Sequence, residues 1–364
     1  MINKKDKRWY WIALGLLVIV LRYIAGSFPE VVESVYSRGL FQVVRYVFGF
    51  VFGLFPFPTL YLWGILLLIG LVVFFYRLFK NYSGWKARMI HLVISCLALI
   101  GGGIFLFLFL WGFNYARVPL EDQMGIDPQP ISKSTLFAEL EIHTTHIKSY
   151  REQVPGNGNS AMTDSTLPAD LESIIRTDVK RTMKELGYPT GGPIQGRRLF
   201  KGSLLRIGTA GFYLPFTGEC NIDAGLHPLQ KPYVMAHEYA HGLGIGDEGS
   251  CNFIAYLTCT SSSNAFVKYS GALSFWRSLA SSYLAYDNAH YRAYRAELPA
   301  GIIADLDAIN ENSRSYPDLF PDFRDKTYDA FLRTQGIDEG MKNYSRVILL
   351  EYAWRERERL IIND

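Results

Sequence analysis

Three long apolar stretches dominate the first third of the chain. They run from about Trp9 to Ile24, from about Thr59 to Phe79 and from about Met89 to Phe113. The second and third contain the roughly 20 apolar residues needed to cross a bilayer. No charged residue lies between Leu60 and Tyr76 or between Leu92 and Phe113. The pattern predicts three transmembrane helices, about 9–24, 59–79 and 89–113.

The first apolar stretch is shorter than the others and contains Arg22 near its end. A cleaved signal peptide is therefore an alternative interpretation. No small-residue cleavage pattern follows, and two further spans come soon after, which favours an uncleaved helix.

The segment 28–58 is apolar but carries Glu30, Glu33, Arg38 and Arg45. This mixture predicts an amphipathic segment at the outer membrane interface. The alternative is a fourth span through 41–57, which would place the large C-terminal region in the cytoplasm.

Basic residues indicate the orientation of the spans. One cluster precedes the first span, and another fills the turn between the second and third: Lys4, Lys5, Lys7, Arg8, Arg77, Lys80, Lys86 and Arg88. Short basic segments stay on the cytoplasmic side. The charges thus predict a multi-pass protein of the cytoplasmic (inner) membrane, with its N-terminus inside and residues 114–364 outside, on the periplasmic side.

Beyond residue 113 the composition becomes that of a water-soluble domain. Apolar spacing predicts helices over 132–153 and 168–186, and again from about Gln230 nearly to the end. Short β candidates lie between them, at 197–200, 204–208, 211–216 and 220–224. The predicted fold class is α+β: N-terminal transmembrane helices (region 1–113), followed by a mostly helical domain with a small β-sheet (region 114–364).

Overall charge and cysteine content narrow the functional classes. There are 37 basic and 34 acidic residues, and no concentrated basic face, so a nucleic-acid partner is not predicted. Four cysteines lack the paired spacing of a structural zinc site and are too few for a disulfide framework. The predicted partners are the lipid bilayer and a protein or peptide substrate.

The motif His237-Glu238-Tyr239-Ala240-His241 carries the candidate chemistry. The segment 233–243 has a helical pattern, so the two histidines lie one turn apart on one face. That spacing lets both imidazoles bind one zinc ion at about 2.0–2.1 Å. Glu238 is placed to accept a proton from a zinc-bound water as that water attacks a carbonyl carbon. One motif thus supplies two metal ligands and a catalytic base.

A catalytic zinc needs a third protein ligand, and two acids compete for this role. Asp247 would complete a HExxHxxGxxD pattern, whereas Glu248 would open the next predicted helix, 248–260. The acid that does not bind metal has an ordinary structural role available, since Asp247 suits the N-cap of that helix.

The stretch Glu248-Gly-Ser-Cys-Asn252 resembles the ExxAD or ExxAN signature of gluzincin metallopeptidases. The resemblance implies that Glu248 is the third ligand and that Asn252 supports a metal-bound histidine. The order of three spans, then Gly211-Phe-Tyr-Leu-Pro-Phe-Thr-Gly218, then the HExxH helix, resembles a bacterial membrane protein family. That family is classed as a domain of unknown function and regarded as zinc peptidases. Cys220 and Cys251 stand where alanines are expected.

The resemblance implies a zincin-like domain over residues 114–364, and the positions of further residues suggest roles around the site. The strand containing Gly211, Phe212 and Tyr213 would border the cleft and pair with extended substrate, or its rings would be core. Tyr344 and Arg346 are candidate oxyanion stabilisers. Cys220 and Cys251 suggest a disulfide, with two buried thiols as the alternative.

Taken together, the sequence predicts a membrane-anchored zinc peptidase with Zn²⁺ as its cofactor. A non-catalytic membrane sensor or scaffold with a degenerate zinc site is one alternative. A zinc amidase acting on cell-wall peptides is another, because the motif specifies metal-assisted hydrolysis better than it specifies the bond.

Overall fold

The computed structural model describes residues 6–156, 158–335, 337 and 345–363, apart from the side chains of 323, 362 and 363. The chain forms two compact units. The first comprises 1–117 together with 214–219, and the second comprises 118–213 and 220–364. Helices predominate, and three strands form one small sheet, which confirms the predicted α+β class.

The described part of the first unit is mostly helical. Its helices are α1 (Arg8–Ala25), α2 (Pro29–Val31), α3 (Phe41–Gly53), α4 (Leu60–Asn81) and α5 (Trp85–Leu110). A π-helical stretch, Val32–Leu40, joins α2 to α3. Within the described residues, α1, α4 and α5 are the three helices that are long and apolar enough to cross a membrane. They correspond to the three predicted spans, although α5 begins and ends a few residues earlier than expected.

Two charges of the segment between α1 and α4, on Glu33 and Arg38, are paired within the first unit. The buried Glu33 carboxylate accepts hydrogen bonds from Arg38 at 2.7 Å and from Arg117 at 2.7 and 2.8 Å. The Tyr36 hydroxyl donates to the backbone oxygens of Leu108, at 3.2 Å, and Phe109, at 2.9 Å. These contacts fasten the π-helical stretch to the end of α5.

Helices α1 and α5 meet at two glycines. A Cβ added to Gly15 would lie 2.5 Å from the Cα of Gly101, and one added to Gly101 would lie 2.6 Å from the Trp11 carbonyl oxygen. Both obstacles are backbone atoms, which cannot move aside cheaply. Small residues allow such close backbone approach, which is a main source of helix association in membranes.

Replacing Gly101 by alanine should therefore weaken the α1–α5 contact. We expect a loss of about 1–3 kcal/mol in the free energy of unfolding, the usual cost of overpacking. Gly103→Ala is the matched control, because a Cβ there meets nothing within 4 Å. Unfolding of the full chain in detergent measures both variants. Equal stability of the two would contradict the close packing.

The second unit contains the other α-helices of the described residues and nearly all of the strand residues. Its helices are α6 (Leu120–Met124), α7 (Lys133–Glu152), α8 (Leu171–Glu185), α9 (Lys231–Gly242), α10 (Glu248–Thr260), α11 (Ala265–Tyr286), α12 (Asn288–Ala296), α13 (Ala300–Arg314), α14 (Pro321–Thr334) and α15 (Val347–Asn363). The strands are β1 (Gln195–Leu199), β2 (Gly211–Leu214) and β3 (Glu219–Asp223), in the order β1-β3-β2, so β2 lies at an edge.

One predicted strand, 204–208, is wrong. The chain there forms a 3₁₀ turn, Leu205–Ile207, that ends at Gly208 with a φ of 71°. The Asp223 carboxylate accepts hydrogen bonds from the backbone nitrogens of Leu204 and Leu205, at 2.8 and 3.1 Å. These bonds hold a turn that the local apolar pattern does not reveal.

Helix α9 lies inside the second unit. Every residue from Met235 to Gly242 is buried, and the helix packs against α8, α10 and α11. Helix α10 begins at Glu248, as predicted, because the Asp247 carboxylate caps it by accepting from the Ser250 backbone nitrogen at 2.7 Å. The candidate histidines therefore stand on a rigid core helix, with the start of α10 beside them.

Candidate metal centre

His237, His241 and Glu248 converge on one point. The Nε2 atoms of the two histidines are 3.1 Å apart. Glu248 Oε2 lies 3.1 Å from His237 Nε2 and 3.4 Å from His241 Nε2. All three side chains are buried, with Glu248 only 2% exposed. The three donors expected from the sequence are thus brought together, and Glu248 rather than Asp247 joins the histidines.

The second nitrogen of each imidazole fixes the tautomer. His241 Nδ1 lies 2.8 Å from the Ile245 carbonyl oxygen, which can only accept, so this nitrogen carries the proton. His237 Nδ1 lies 2.9 Å from Asn252 Oδ1, which also accepts. Each ring therefore turns its Nε2 toward Glu248. Such outer hydrogen bonds orient metal-binding histidines, and Asn252 occupies the place that the gluzincin resemblance implies.

Glu248 Oε2 and the two Nε2 atoms form a close group of possible metal ligands. Although Glu248 Oε2 is within ion-pair distance of both ring nitrogens, it has no hydrogen-bond partner among the described residues. A positive charge, either a proton on one ring or a bound cation, stabilises three electron-pair donors that lie this close together. Ligands at about 2.0–2.1 Å in a tetrahedral zinc site lie about 3.3 Å from one another. The observed separations of 3.1 to 3.4 Å fit that requirement.

Glu248 is also held from its other side. The Tyr328 hydroxyl, on α14, donates to Glu248 Oε1 at 2.6 Å, which leaves Oε2 directed at the histidines. Burial favours the neutral form of this acid, but His241 and His237 lower the pKa of Glu248 well below its ordinary value. The carboxylate is therefore charged, as a metal ligand must be.

Glu238 lies beside the three donors without joining them. It is 4% exposed, and its Oε2 has no hydrogen-bond partner among the described residues. Burial raises the pKa of Glu238 to about 7; His237 and His241 act in the opposite direction, and Glu248 adds to the rise. A buried carboxylate with a free oxygen next to a metal site can exchange protons with a bound reactant.

The predicted groove strand borders Glu238 directly. A Cβ added to Gly211 would lie 2.7 Å from Glu238 Oε1 and 2.7 Å from the Asn221 carbonyl oxygen. Because any larger residue at position 211 would clash, only glycine fits there. The backbone of β2 therefore lies directly against the Glu238 carboxylate. Phe212 and Tyr213 are half-buried, and Tyr213 packs on the core. Their predicted contact with substrate stays a prediction.

Of the two candidate oxyanion stabilisers, only Arg346 lies within the described residues. Tyr344 lies outside the described residues. Arg346 directly precedes α15, where it forms an ion pair with Glu121 and lies 3.5 Å from Asp247 Oδ1. It is thus bound to acids that flank the site, and a role toward substrate stays a prediction.

All four cysteines are free thiols in the structure, including Cys220 and Cys251. The suggested disulfide is not formed, and the alternative of two buried thiols holds. Cys251 Sγ lies 3.3 Å from His241 Nδ1, and burial raises the pKa of Cys251 to about 12. The thiol therefore stays protonated and packs beside His241.

A second buried group contains Glu139, His143 and Glu351. His143 Nε2 lies 3.4 Å from Glu351 Oε1 and 3.9 Å from Glu139 Oε2. Both acids are already paired with a positively charged side chain. Arg355 forms an ion pair with Glu139 and another, at 3.2 Å, with Glu351. The guanidinium supplies the positive charge that a metal ion would bring, so this group is an ion-pair cluster.

Comparison with known proteins places the chain in a family. A family model described as "Protein of unknown function (DUF3810)" matches residues 36–352. The chain belongs to the DUF3810 family. No curated protein and no solved structure matches it significantly. The DUF3810 match includes α9 and α10 with the three donors, but its description assigns no activity, so the chemistry rests on the geometry of the site.

Proposed function

We propose that this DUF3810 protein is a membrane-anchored, zinc-dependent peptidase. The convergence of His237 Nε2, His241 Nε2 and Glu248 Oε2 within 3.1 to 3.4 Å carries the proposal. Three protein ligands with one open position are the pattern of catalytic zinc, whereas structural zinc sites have four protein ligands. A zinc ion bound there would polarise a substrate carbonyl and lower the pKa of water.

The chain's own residues supply the remaining parts. Glu238, whose Oε2 is free of hydrogen bonds among the described residues, takes the proton from the attacking water and passes it to the leaving amine. Asn252 and the Ile245 carbonyl hold the two imidazoles in position, and Tyr328 holds Glu248. Fixed contacts of this kind keep the proposed metal ligands oriented.

The position of β2 supports a peptide as the substrate. This strand lies at the edge of the sheet, and Gly211 brings its backbone against Glu238. An extended peptide that added to this edge would form backbone hydrogen bonds with β2 and would pass beside the carboxylate. That mode recognises main chain, so the proposed substrate class is an extended segment of protein or peptide.

The location belongs to the proposal as well. Lys7 precedes α1 and Arg8 is its first residue, and Lys80, Lys86 and Arg88 lie near the turn between α4 and α5. If both basic ends are cytoplasmic, three crossings leave the second unit on the outer side. The substrate would then be a protein or peptide outside the cytoplasmic membrane.

Cleavage assays on the purified full chain in nanodiscs test the proposal. We expect about one zinc per chain and cleavage within denatured proteins or long peptides. A chelator should abolish this activity, and added zinc should restore it. If the protein cleaved cell-wall peptides but not proteins or long peptides, the result would favour a zinc amidase over a peptidase. Bound zinc without hydrolysis of either substrate would favour the sensor or scaffold.

A further inference from the structure

A cavity of about 680 Å³ lies among the membrane-spanning helices of the first unit. Its wall on α4 is formed by Gly70, Phe74, Arg77 and Asn81, together with Val73. These positions recur at helical spacing, so one face of α4 lines the space. The opposite wall is a face of α5, from His91 to Leu106. Arg8 of α1 lies at the His91 end, and Trp11 of α1 lies beside Gly102.

The cavity is polar at one end and apolar along the rest. The polar side chains Arg8, Arg77, Asn81, Tyr82, His91 and Ser95 lie near the turn between α4 and α5. From Ser95 to Leu106 the α5 wall spans about 16 Å at 1.5 Å per residue. One leaflet of a bilayer has a hydrocarbon depth of about 15 Å. The cavity thus has the polarity profile and the depth of a single lipid leaflet.

The two arginines at the polar end differ in their partners. Arg8 is neutralised by Asp6, with Nε 2.9 Å from Oδ2, and it also donates to Ser95 Oγ at 2.7 Å. Arg77 has no hydrogen bond or ion pair with any residue that the structure describes. None of the described lining residues is acidic. The cavity therefore presents one uncompensated guanidinium above an apolar channel.

This combination selects an occupant that is anionic at one end and apolar along its length. We propose that the cavity binds one anionic glycerophospholipid, with its phosphate on Arg77 and an acyl chain along α5 toward Leu106. Guanidinium groups bind phosphate oxygens through paired, charge-assisted hydrogen bonds. A helix from a second copy of the chain would fill the apolar wall but would leave Arg77 without an anion.

Native mass spectrometry of the full chain tests this proposal. The protein is reconstituted with phosphatidylglycerol or with phosphatidylcholine of the same acyl chains. We expect the wild type to retain about one phosphatidylglycerol in preference to phosphatidylcholine. Arg77→Gln should weaken that retention about tenfold or more, the effect of losing hydrogen bonds to a charged group. Lys80→Gln is the matched control, since Lys80 is on the same helix but does not line the cavity.

A second pair of variants tests the apolar part. Gly70 lines the cavity, Gly64 does not, and a Cβ added at either place meets nothing within 4 Å. Gly70→Leu should displace the lipid, and Gly64→Leu should retain it. Equal retention by Arg77→Gln and Lys80→Gln, no preference for the anionic lipid, or equal behaviour of the two leucine variants would overturn the proposal. A dimer that excludes lipid would also overturn it.

Discussion

Glu238→Gln should reduce peptide hydrolysis by about 10²- to 10⁴-fold while leaving the zinc content unchanged. This range is the usual contribution of a general base or acid. Glutamine has the shape of glutamate, so it preserves the contact with Gly211, but its amide cannot accept the proton of the attacking water. Since Glu238 lies outside the group of three converging donors, the substitution removes no metal ligand.

The measurements for this variant are the turnover number on a denatured protein substrate and the zinc bound per chain. Glu185→Gln is the control, because Glu185 is exposed at the end of α8. Unchanged turnover in Glu238→Gln would remove Glu238 as the base. Loss of zinc from that variant would mean that the carboxylate holds the metal, which also contradicts the proposed role.

Much of the candidate site could be predicted because it depends on helical spacing. His237 and His241 are four residues apart, and a helix brings such residues onto one face whatever surrounds it. The start of α10 at Glu248 was predictable for a similar reason, since the Asp247 cap acts over three residues. The three candidate spans were predictable because they are recognised by length and apolar content, and both can be read from the sequence.

The missed parts of the site depend on contacts between distant residues. Tyr328 reaches Glu248 across 80 positions of sequence, and nothing in the pattern of α14 marks it as different from other tyrosines. The approach of Gly211 to Glu238 requires the sheet to be in place. The backbone oxygen of Ile245 is invisible to motif analysis, although the glycines around it signal a turn. The wrong strand at 204–208 has the same origin, because Asp223 holds that turn from β3.

Glu248→Gln should lower zinc affinity by more than about 100-fold. Changes to groups that merely orient a ligand already cost 10- to 100-fold, so loss of a ligand's charge should cost more. Asp247→Asn should leave zinc binding unchanged, because Asp247 Oδ1 accepts from Ser250 and asparagine caps helices as well as aspartate does. The two substitutions change neighbouring residues in the same way and remove one negative charge each, so they separate the two candidates for the third ligand.

Thermal unfolding with and without a chelator measures this difference independently of activity. A metal that binds only the folded state stabilises it by about 2.7 kcal/mol when its free concentration is 100 times the Kd. The chelator should therefore lower the unfolding temperature of the wild type and of Asp247→Asn, and it should have little effect on Glu248→Gln. A chelator response in Glu248→Gln that equals the wild-type response would show that the ion is held without this carboxylate. Loss of the response in Asp247→Asn alone would make Asp247 the ligand, and the convergence of Glu248 with the histidines would then be an ordinary buried contact.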